Sequence, residues 1–287
     1  MSVQTKLVHW FRRNARDLPW RHPDVSPWNI LVSEIMLQQT QAARVAVQWT
    51  EWVNRWPTVE DVASAKPADV LRMWDRLGYP SRALRLHESA KIIVRDFAGQ
   101  VPMDEHALQQ LPGVGHYTAA AVCSFAFHQP TVMLDTNVRR VIGRVWNGLA
   151  RPALAVSAVE REFAQSLIPK QSPNNWQWAG AVMEFGALVC TANKPACDQC
   201  ILKTDCRWRL AGYPTSDVKT KAKKFAGSDR QVRGRIMKIV RHNSKSVPRS
   251  EFAEVSSDKK QTDRALLSLL EDGLLEATRS GRYRLPQ

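Results

Sequence analysis

Pro112-Gly113-Val114-Gly115 stands between two stretches that read as helices, Asp104 to Leu111 and His116 to Phe127, the second rich in alanine and other apolar residues. This pattern constrains the chain to a helix-hairpin-helix at its centre. Glycine is needed where the backbone turns through positive φ, and the missing Cβ lets N–H groups come close to an anion such as a phosphate. The second helix begins at the same place, so its first N–H groups and the positive end of its dipole face that anion too. An ordinary glycine turn between packed helices fits the same four residues, and the rest of the chain has to decide.

Charge is the first such context. The 287 residues carry 41 Lys and Arg against 27 Asp and Glu, a net +14 that suits a polyanionic partner. Basic residues gather in Arg82 to Arg95 and Lys219 to Arg241. An apolar fraction of 44% is that of a globular chain, and the length allows one or two domains with a large core. Nothing approaches the run of about 20 apolar residues that a membrane span needs, nor a signal-peptide core, so a soluble cytoplasmic chain is expected.

Four of the five cysteines crowd into Cys190-x6-Cys197-x2-Cys200-x5-Cys206. In a reducing compartment this argues for metal and against disulfides. The spacing fits structural zinc and equally an iron–sulfur cluster, since both take four thiolates. Cys123, among alanines, reads as a small core residue.

The first 210 residues read as almost wholly helical. Ser26 as N-cap and Pro27 at the first helical position open a helix whose apolar pattern runs through Val47. Glu34 and Gln38, four apart, share a face of it. A carboxylate within Ile30-Leu31-Val32-Ser33-Glu34-Ile35-Met36-Leu37 is either an exposed helical Glu or a buried one, and burial raises a carboxyl pKa toward that of a general acid. Asp135, before Thr136-Asn137-Val138-Arg139-Arg140, reads by itself as a helix N-cap. After the linker-like Lys219 to Lys224, helices are expected over Gln231 to His242, Ser250 to Val255 and Thr262 to Asp272. Two strand-like runs follow, Gly273 to Thr278 and Arg282 to Leu285. That order resembles a winged helix.

Ser33 to Gln41, Leu77-Gly78-Tyr79, Leu111 to Gly115, Leu134-Asp135-x-Asn137-Val138 and the four cysteines, in this order, resemble the MutY-type adenine DNA glycosylases over roughly residues 5 to 210. The hairpin and Asp135 alone would indicate only the wider helix-hairpin-helix glycosylase superfamily; Glu34 with its Gln-Gln-Thr run is the more specific mark. The resemblance implies a mainly α, two-lobed fold and a monofunctional hydrolase that flips adenine, mispaired with 8-oxoguanine or guanine, out of double-stranded DNA. It implies Glu34 as the acid that protonates adenine N7 and Asp135 as the carboxylate facing the cationic sugar, with Tyr117 orienting Asp135 or the sugar. Tyr117 also stands where endonuclease III relatives carry a lysine, which disfavours Schiff-base lyase chemistry. Gln38, Gln39 and Thr40 would meet the opposite strand. Gly113, Val114, Gly115, Arg82, Arg139 and Lys194 would meet phosphates. Arg21, Trp28 and Glu184 would line the base pocket. Cys190, Cys197, Cys200 and Cys206 would hold a [4Fe-4S] cluster. Each of these residues also has a plain structural reading: a solvated lysine for Lys194, core for Trp28, an exposed helical Glu for Glu184.

The chain departs from the family in three places. Tyr79-Pro80 stands where a second tyrosine usually follows, and Ala179-Gly180 replaces an Asn-Gln pair. The C-terminus is too short for the usual Nudix-like domain. The expected organisation is a glycosylase domain over 1–212 with its metal loop at 190–206, a linker over 213–228, and a winged-helix-like α+β domain over 229–287, acting as a monomer. A mismatch thymine or uracil glycosylase, and a catalytically silent cluster protein that binds DNA, are the alternatives.

Overall fold

The computed structural model describes residues 1–170, 175–216, 218 and 225–287. The basic stretch Lys219 to Lys224 lies outside the described residues. In chain order the helices are α1 (Val3–Asn14), α2 (Pro27–Leu37), α3 (Ala42–Arg55), α4 (Val59–Ser64), α5 (Pro67–Trp74), α6 (Ser81–Asp96), α7 (Glu105–Gln109), α8 (His116–Phe127), α9 (Thr136–Asn147), α10 (Ala158–Ser166), α11 (Gln177–Leu188), α12 (Arg207–Leu210), α13 (Asp229–His242) and α14 (Lys259–Glu271). Two short strands, β1 (Glu276–Ala277) and β2 (Tyr283–Arg284), close the chain. The fold is mainly α, as expected. No helix among the described residues is long and apolar enough to cross a membrane.

The chain forms two compact units, Met1–Ile30 with Met103–Gln110 and Val114–Lys221, and Leu31–Pro102 with Leu111–Gly113 and Ala222–Gln287. In the first, the buried faces are written as i, i+3, i+4, i+7 patterns. Val138, Val141, Ile142 and Val145 of α9 meet Trp178, Ala181, Val182 and Phe185 of α11, with Leu7 and Val8 of α1 closing the cluster. Gly186 permits this approach, since a Cβ there would fall 2.8 Å from Asn137 Cβ and 2.9 Å from Asn137 O. At Gly180 a Cβ would meet Phe125 at 3.1 Å, so the small Ala179-Gly180 pair accommodates aromatic rings.

In the second unit, α6 packs on α4 and α5. Trp52, Trp56 and Trp74 meet edge to face, with Trp52 centroids 4.9 Å and 6.0 Å from the other two. The C-terminal elements group with this unit, α13 packing on both α14 and α5. Their winged-helix-like order matches the sequence reading, with the middle helix reduced to a 3₁₀ turn over Arg249–Phe252. The strands are antiparallel, pairing Glu276 with Arg284 and Ala277 with Tyr283, and Val247 bridges to Tyr283 as a third rung.

The early helix is where the expectation fails. Ser26 does cap it, its Oγ accepting from Asn29 N at 3.2 Å, but it ends at Leu37 and a new helix starts at Ala42. Between them Gln39 takes a left-handed backbone, φ +57°. The cause lies 44 residues on. The buried Arg82 guanidinium donates to Ile35 O, Met36 O and Gln38 O, capturing the terminal carbonyls of α2 and capping it from outside. A glutamine in a helical pattern carries no local sign of this.

Candidate active site and metal loop

Asp135 is the N-cap of α9 that the sequence indicates, but its geometry is that of a tuned carboxylate. Oδ1 accepts from Val138 N at 2.6 Å and Oδ2 from Asn137 Nδ2 at 2.7 Å. Asn137 is itself oriented by Arg140, whose Nη2 donates to Asn137 Oδ1 at 2.8 Å and to Gly186 O at 2.7 Å. Burial nevertheless raises the Asp135 pKa above the ordinary carboxylate value, against these two hydrogen bonds and the nearby Arg140 charge. Its ionised form is therefore under-compensated, which is the state that gains most from a cation placed beside it.

In the same unit Glu184 is fully buried on α11. Arg16 grips it through backbone N, Nε and Nη2 at 2.8–2.9 Å, and Arg21 adds Nη1 and Nη2 at 3.1 and 3.0 Å. Burial alone would push Glu184 up, but the arginine hydrogen bonds reverse this and hold it at about 2. The structure thus brings the expected Arg21 and Glu184 together, yet as a fixed ion pair. A proton-donating role for Glu184 does not fit. Arg16, which completes the clamp, was missed because nothing local links it to a residue 168 positions away. Trp28 is buried, and its indole N–H has no hydrogen-bond acceptor among the described residues. Tyr117 donates its hydroxyl to Met183 Sδ at 3.3 Å, one residue before Glu184.

The Glu184 clamp makes a stability prediction. Replacing it by Gln in Glu184→Gln removes the buried charge and leaves two partly exposed arginines. A loss of about 2–3 kcal/mol, or a Tm fall of roughly 5–10 °C, is expected at pH 7. Because the folded pKa lies below the usual 4.5, this contribution is complete above about pH 4.5 and fades as pH falls toward 2. The Tm gap between wild type and variant, followed by thermal melts, should therefore narrow below about pH 4.5; a gap that is absent at pH 7, or independent of pH down to 3, contradicts it.

At the hairpin, Gly113 adopts φ +84°. The preceding carbonyls turn inward: Ser89 Oγ donates to Pro112 O at 2.9 Å and Gln38 Nε2 to Gly113 O at 3.0 Å. The α8 ladder opens with Ala119 N to Gly115 O at 2.9 Å, so the amides of the preceding turn lie outside it. Val114 is buried, which leaves only its backbone to face a ligand. Gly115 is exposed at an ordinary φ of −94°, and a Cβ there would meet no heavy atom within 4 Å. Gly115→Ala should consequently cost the fold only about 0.5 kcal/mol as a poorer cap, while weakening duplex binding roughly tenfold by crowding an approaching phosphate. Fluorescence anisotropy that returns an unchanged Kd would remove the hairpin from the DNA-contacting surface.

The second unit carries Glu34 on α2, only 4% exposed. The exposed reading of this carboxylate is excluded. Gln38 binds the hairpin carbonyl, Gln39 is exposed, and Thr40 Oγ1 donates to Leu77 O at 3.0 Å. Arg82, expected at a phosphate, is instead buried and bound to protein carbonyls, its pKa lowered by burial to about 10. Arg139, in the first unit, is likewise buried, donating to Glu160 at 2.6 and 2.7 Å and to Ala153 O and Ala155 O. Lys194 is exposed, without an ion pair among the described residues.

All four loop cysteines line one small cavity, among Val145, Phe185, Leu202 and Trp208. They are free thiols, as is the buried Cys123, pushed up by burial to about 12. Among the described residues no three potential ligands close on one metal-ion position. The set is four thiols from one loop around a shared, largely apolar space. Cys200 is pushed up to about 11 by burial, so a thiolate there needs a cationic partner. Arg144 ties the loop to α9, donating to Cys190 Sγ at 3.4 Å, Thr191 O at 2.7 Å and Ala192 O at 3.1 Å. Arg140 adds Cys190 O at 2.7 Å. One helix thus carries both the Asp135 cap and the loop anchors.

Residues 32–167 match the HhH-GPD superfamily of base excision DNA repair proteins. Over 98% of the chain and 93% of its relative's length, the sequence is 49% identical to an adenine DNA glycosylase of Mycobacterium tuberculosis. The chain belongs to the adenine DNA glycosylase family. It is a base-excision-repair enzyme that hydrolyses an N-glycosyl bond of DNA. The Mycolicibacterium smegmatis adenine DNA glycosylase is 46% identical over 99% of the chain and 97% of its own length. Both of these alignments span nearly the whole of this chain. The human adenine DNA glycosylase is 42% identical, over 72% of this chain and 39% of its own. Among solved structures, a thermostable thymine-DNA glycosylase aligns over 72% of this chain and 95% of its own, with TM-score 0.63 and 28% identity. Endonuclease III trapped as a covalent DNA intermediate aligns over 74% and 95%, with TM-score 0.62 and 25% identity.

Proposed function

We propose that this adenine DNA glycosylase removes adenine mispaired with 8-oxoguanine or guanine, by hydrolysis and without lyase activity. The observation that supports the reading is the burial of Glu34 on α2, only 4% exposed, with Asp135, oriented at both oxygens, as the second carboxylate. Adenine is flipped from the stack, which costs least for a mispaired base. Glu34 donates its proton to adenine N7, a ring acceptor, and makes the base a neutral leaving group. The bond from C1′ to N9 breaks with its electrons going to the base. Asp135 then faces the oxocarbenium-like sugar, and water adds at C1′ and gives up its proton. Tyr117, bonded to Met183 beside the Glu184 clamp, supplies no amine for a Schiff base.

The base pocket is assigned to Arg21, Trp28 and Glu184. The unpartnered indole N–H of Trp28 supports this, because a buried donor gains by meeting an acceptor on a ligand. Arg21 and Glu184 act as its rigid wall. Gln38, Gln39 and Thr40 are assigned to the opposite strand. Gly113, Val114 and Gly115 are assigned to phosphate through backbone N–H groups, with Lys194 as a further cation. Arg82 serves by holding the end of α2, and Arg139 by holding Ala153, Ala155 and Glu160 against α9. Cys190, Cys197, Cys200 and Cys206 would hold a [4Fe-4S] cluster, whose part is to fix the fold of the loop. The enzyme is read as a monomer acting in the cytoplasm, at the nucleoid in a bacterium.

A thymine or uracil glycosylase is the second reading, favoured by 31% identity over 72% of the chain to a thymine/uracil-DNA glycosylase of Methanothermobacter thermautotrophicus. Alkali-labile strand breaks measured side by side on A·8-oxoguanine, A·G, T·G and U·G duplexes separate the two. Cleavage confined to the adenine strand of the first two is expected. Cleavage of T·G or U·G at a comparable rate would replace this proposal with the second reading.

A further inference from the structure

Trp74, Arg82, Tyr79, Arg230 and Phe225 form an alternating series of rings and guanidiniums within the second unit. Arg82 lies 5.2 Å from the Trp74 centroid and 5.7 Å from that of Tyr79; Arg230 lies 5.4 Å from Tyr79 and 4.8 Å from Phe225. Arg230 Nη1 also donates to Tyr79 Oη at 2.5 Å. The series starts at fully buried Trp74 and ends in solvent, with Tyr79 38% and Phe225 50% exposed.

The turn that presents Tyr79 is strained. Asp75, Gly78 and Tyr79 have φ of +33°, +75° and +46°. Such a turn persists only when its surroundings over-determine it. From inside, Arg82 donates to Leu77 O and Gly78 O at 2.9 and 3.0 Å, and Trp74 Nε1 to Gly78 O at 3.0 Å. From the C-terminal elements, α13 holds both ends, Arg241 donating to Asp75 O and Arg230 to the Tyr79 ring and hydroxyl. Contacts that merely glued two elements together would bury the rings and neutralise the cations. Here two rings stay exposed, and among the described residues Arg230 has no carboxylate partner. Exposed π-faces interleaved with uncompensated guanidiniums match a nucleic acid, which offers bases to stack and phosphates to pair.

We propose that the C-terminal domain acts through Arg230 to hold Tyr79 as an aromatic contact for duplex DNA, which makes this domain a working part of the DNA-binding surface. Arg230 is a positioning residue, acting through Tyr79. The inference rests on the reading that the chain binds mispaired duplex DNA, and its test keeps the two apart.

The full-length protein is titrated against a duplex holding a non-hydrolysable deoxyadenosine analogue opposite 8-oxoguanine, for wild type, Arg230→Met, Tyr79→Ala and the double variant. Each single change is expected to raise Kd about tenfold, and the double change no more than either alone, because both remove the same contact. Tyr79→Phe, which keeps the ring and loses the hydroxyl, should fall between wild type and Tyr79→Ala. Unchanged binding in Arg230→Met, or a hundredfold loss in the double variant, would overturn the proposal. A fall in Tm without a change in Kd overturns it too, since that marks a purely structural contact. If wild type fails to bind the duplex at all, the underlying reading fails instead.

Discussion

Asp135→Asn is expected to lower adenine release about 10³-fold while leaving the fold intact. Asparagine caps a helix as well as aspartate does, so the bond to Val138 N at the start of α9 survives. What disappears is the negative charge that faces the cationic sugar, and removing one such electrostatic element costs on the order of 10²–10³ in rate. A role as cap alone predicts normal activity in Asp135→Asn and loss only in Asp135→Ala. Stability adds a second signature. The folded pKa of Asp135 lies above its ordinary value, so the folded state holds this proton more tightly, and ionising the group at neutral pH costs stability. That cost is absent below the unfolded pKa and grows as pH rises through the folded one. The neutral carboxamide removes this cost but loses the acceptor for Asn137 Nδ2, so the Tm of Asp135→Asn is expected to gain on that of wild type as pH rises toward 7. The wild-type rate should fall on the acid side at a pH above the usual aspartate value of 3.8, because the group must be ionised to work.

Glu34→Gln is expected to slow adenine release by about 10²–10⁴-fold, the range attributed to a positioned general acid. The replacement is nearly isosteric, and Glu34 is only 4% exposed on α2. Glutamine can still donate a hydrogen bond to N7 but cannot transfer a proton. Duplex affinity should therefore remain near wild type while the single-turnover rate collapses. Loss of binding with a normal rate at saturation would make Glu34 a recognition residue, and proton transfer would have to be sought elsewhere.

The parts of this molecule that were legible in its sequence are those fixed by local physics. The helix over His116–Phe127 follows from the hairpin glycines before it and the apolar run within it. The Asp135 cap and the face pattern of α9 are readable in the same way, as are the C-terminal elements, whose order survives with ends shifted by a few residues. The losses trace to partners distant along the chain. Arg82 breaks the early helix from 44 residues away, and its charge, which suggested a phosphate contact, is spent on carbonyls. Glu184 could not be assigned a protonation state without Arg16, 168 positions earlier. Tyr79 looked like a weakened family motif, and only the fold reveals Arg230 upon it, 151 residues later. Long side chains carry their partners' addresses in three dimensions, and no periodicity records them.

The central claim is that Glu34 as proton donor and Asp135 as the carboxylate facing the sugar remove adenine from DNA. Its most direct test is the single-turnover release of free adenine from an A·8-oxoguanine duplex, quantified chromatographically before any alkali treatment, for wild type, Glu34→Gln and Asp135→Asn at equal, saturating occupancy. The expected result is adenine from wild type with the strand still intact, and at least a hundredfold slower release from each variant. Release within tenfold of wild type from either carboxamide variant, with folding and binding preserved, would contradict the account.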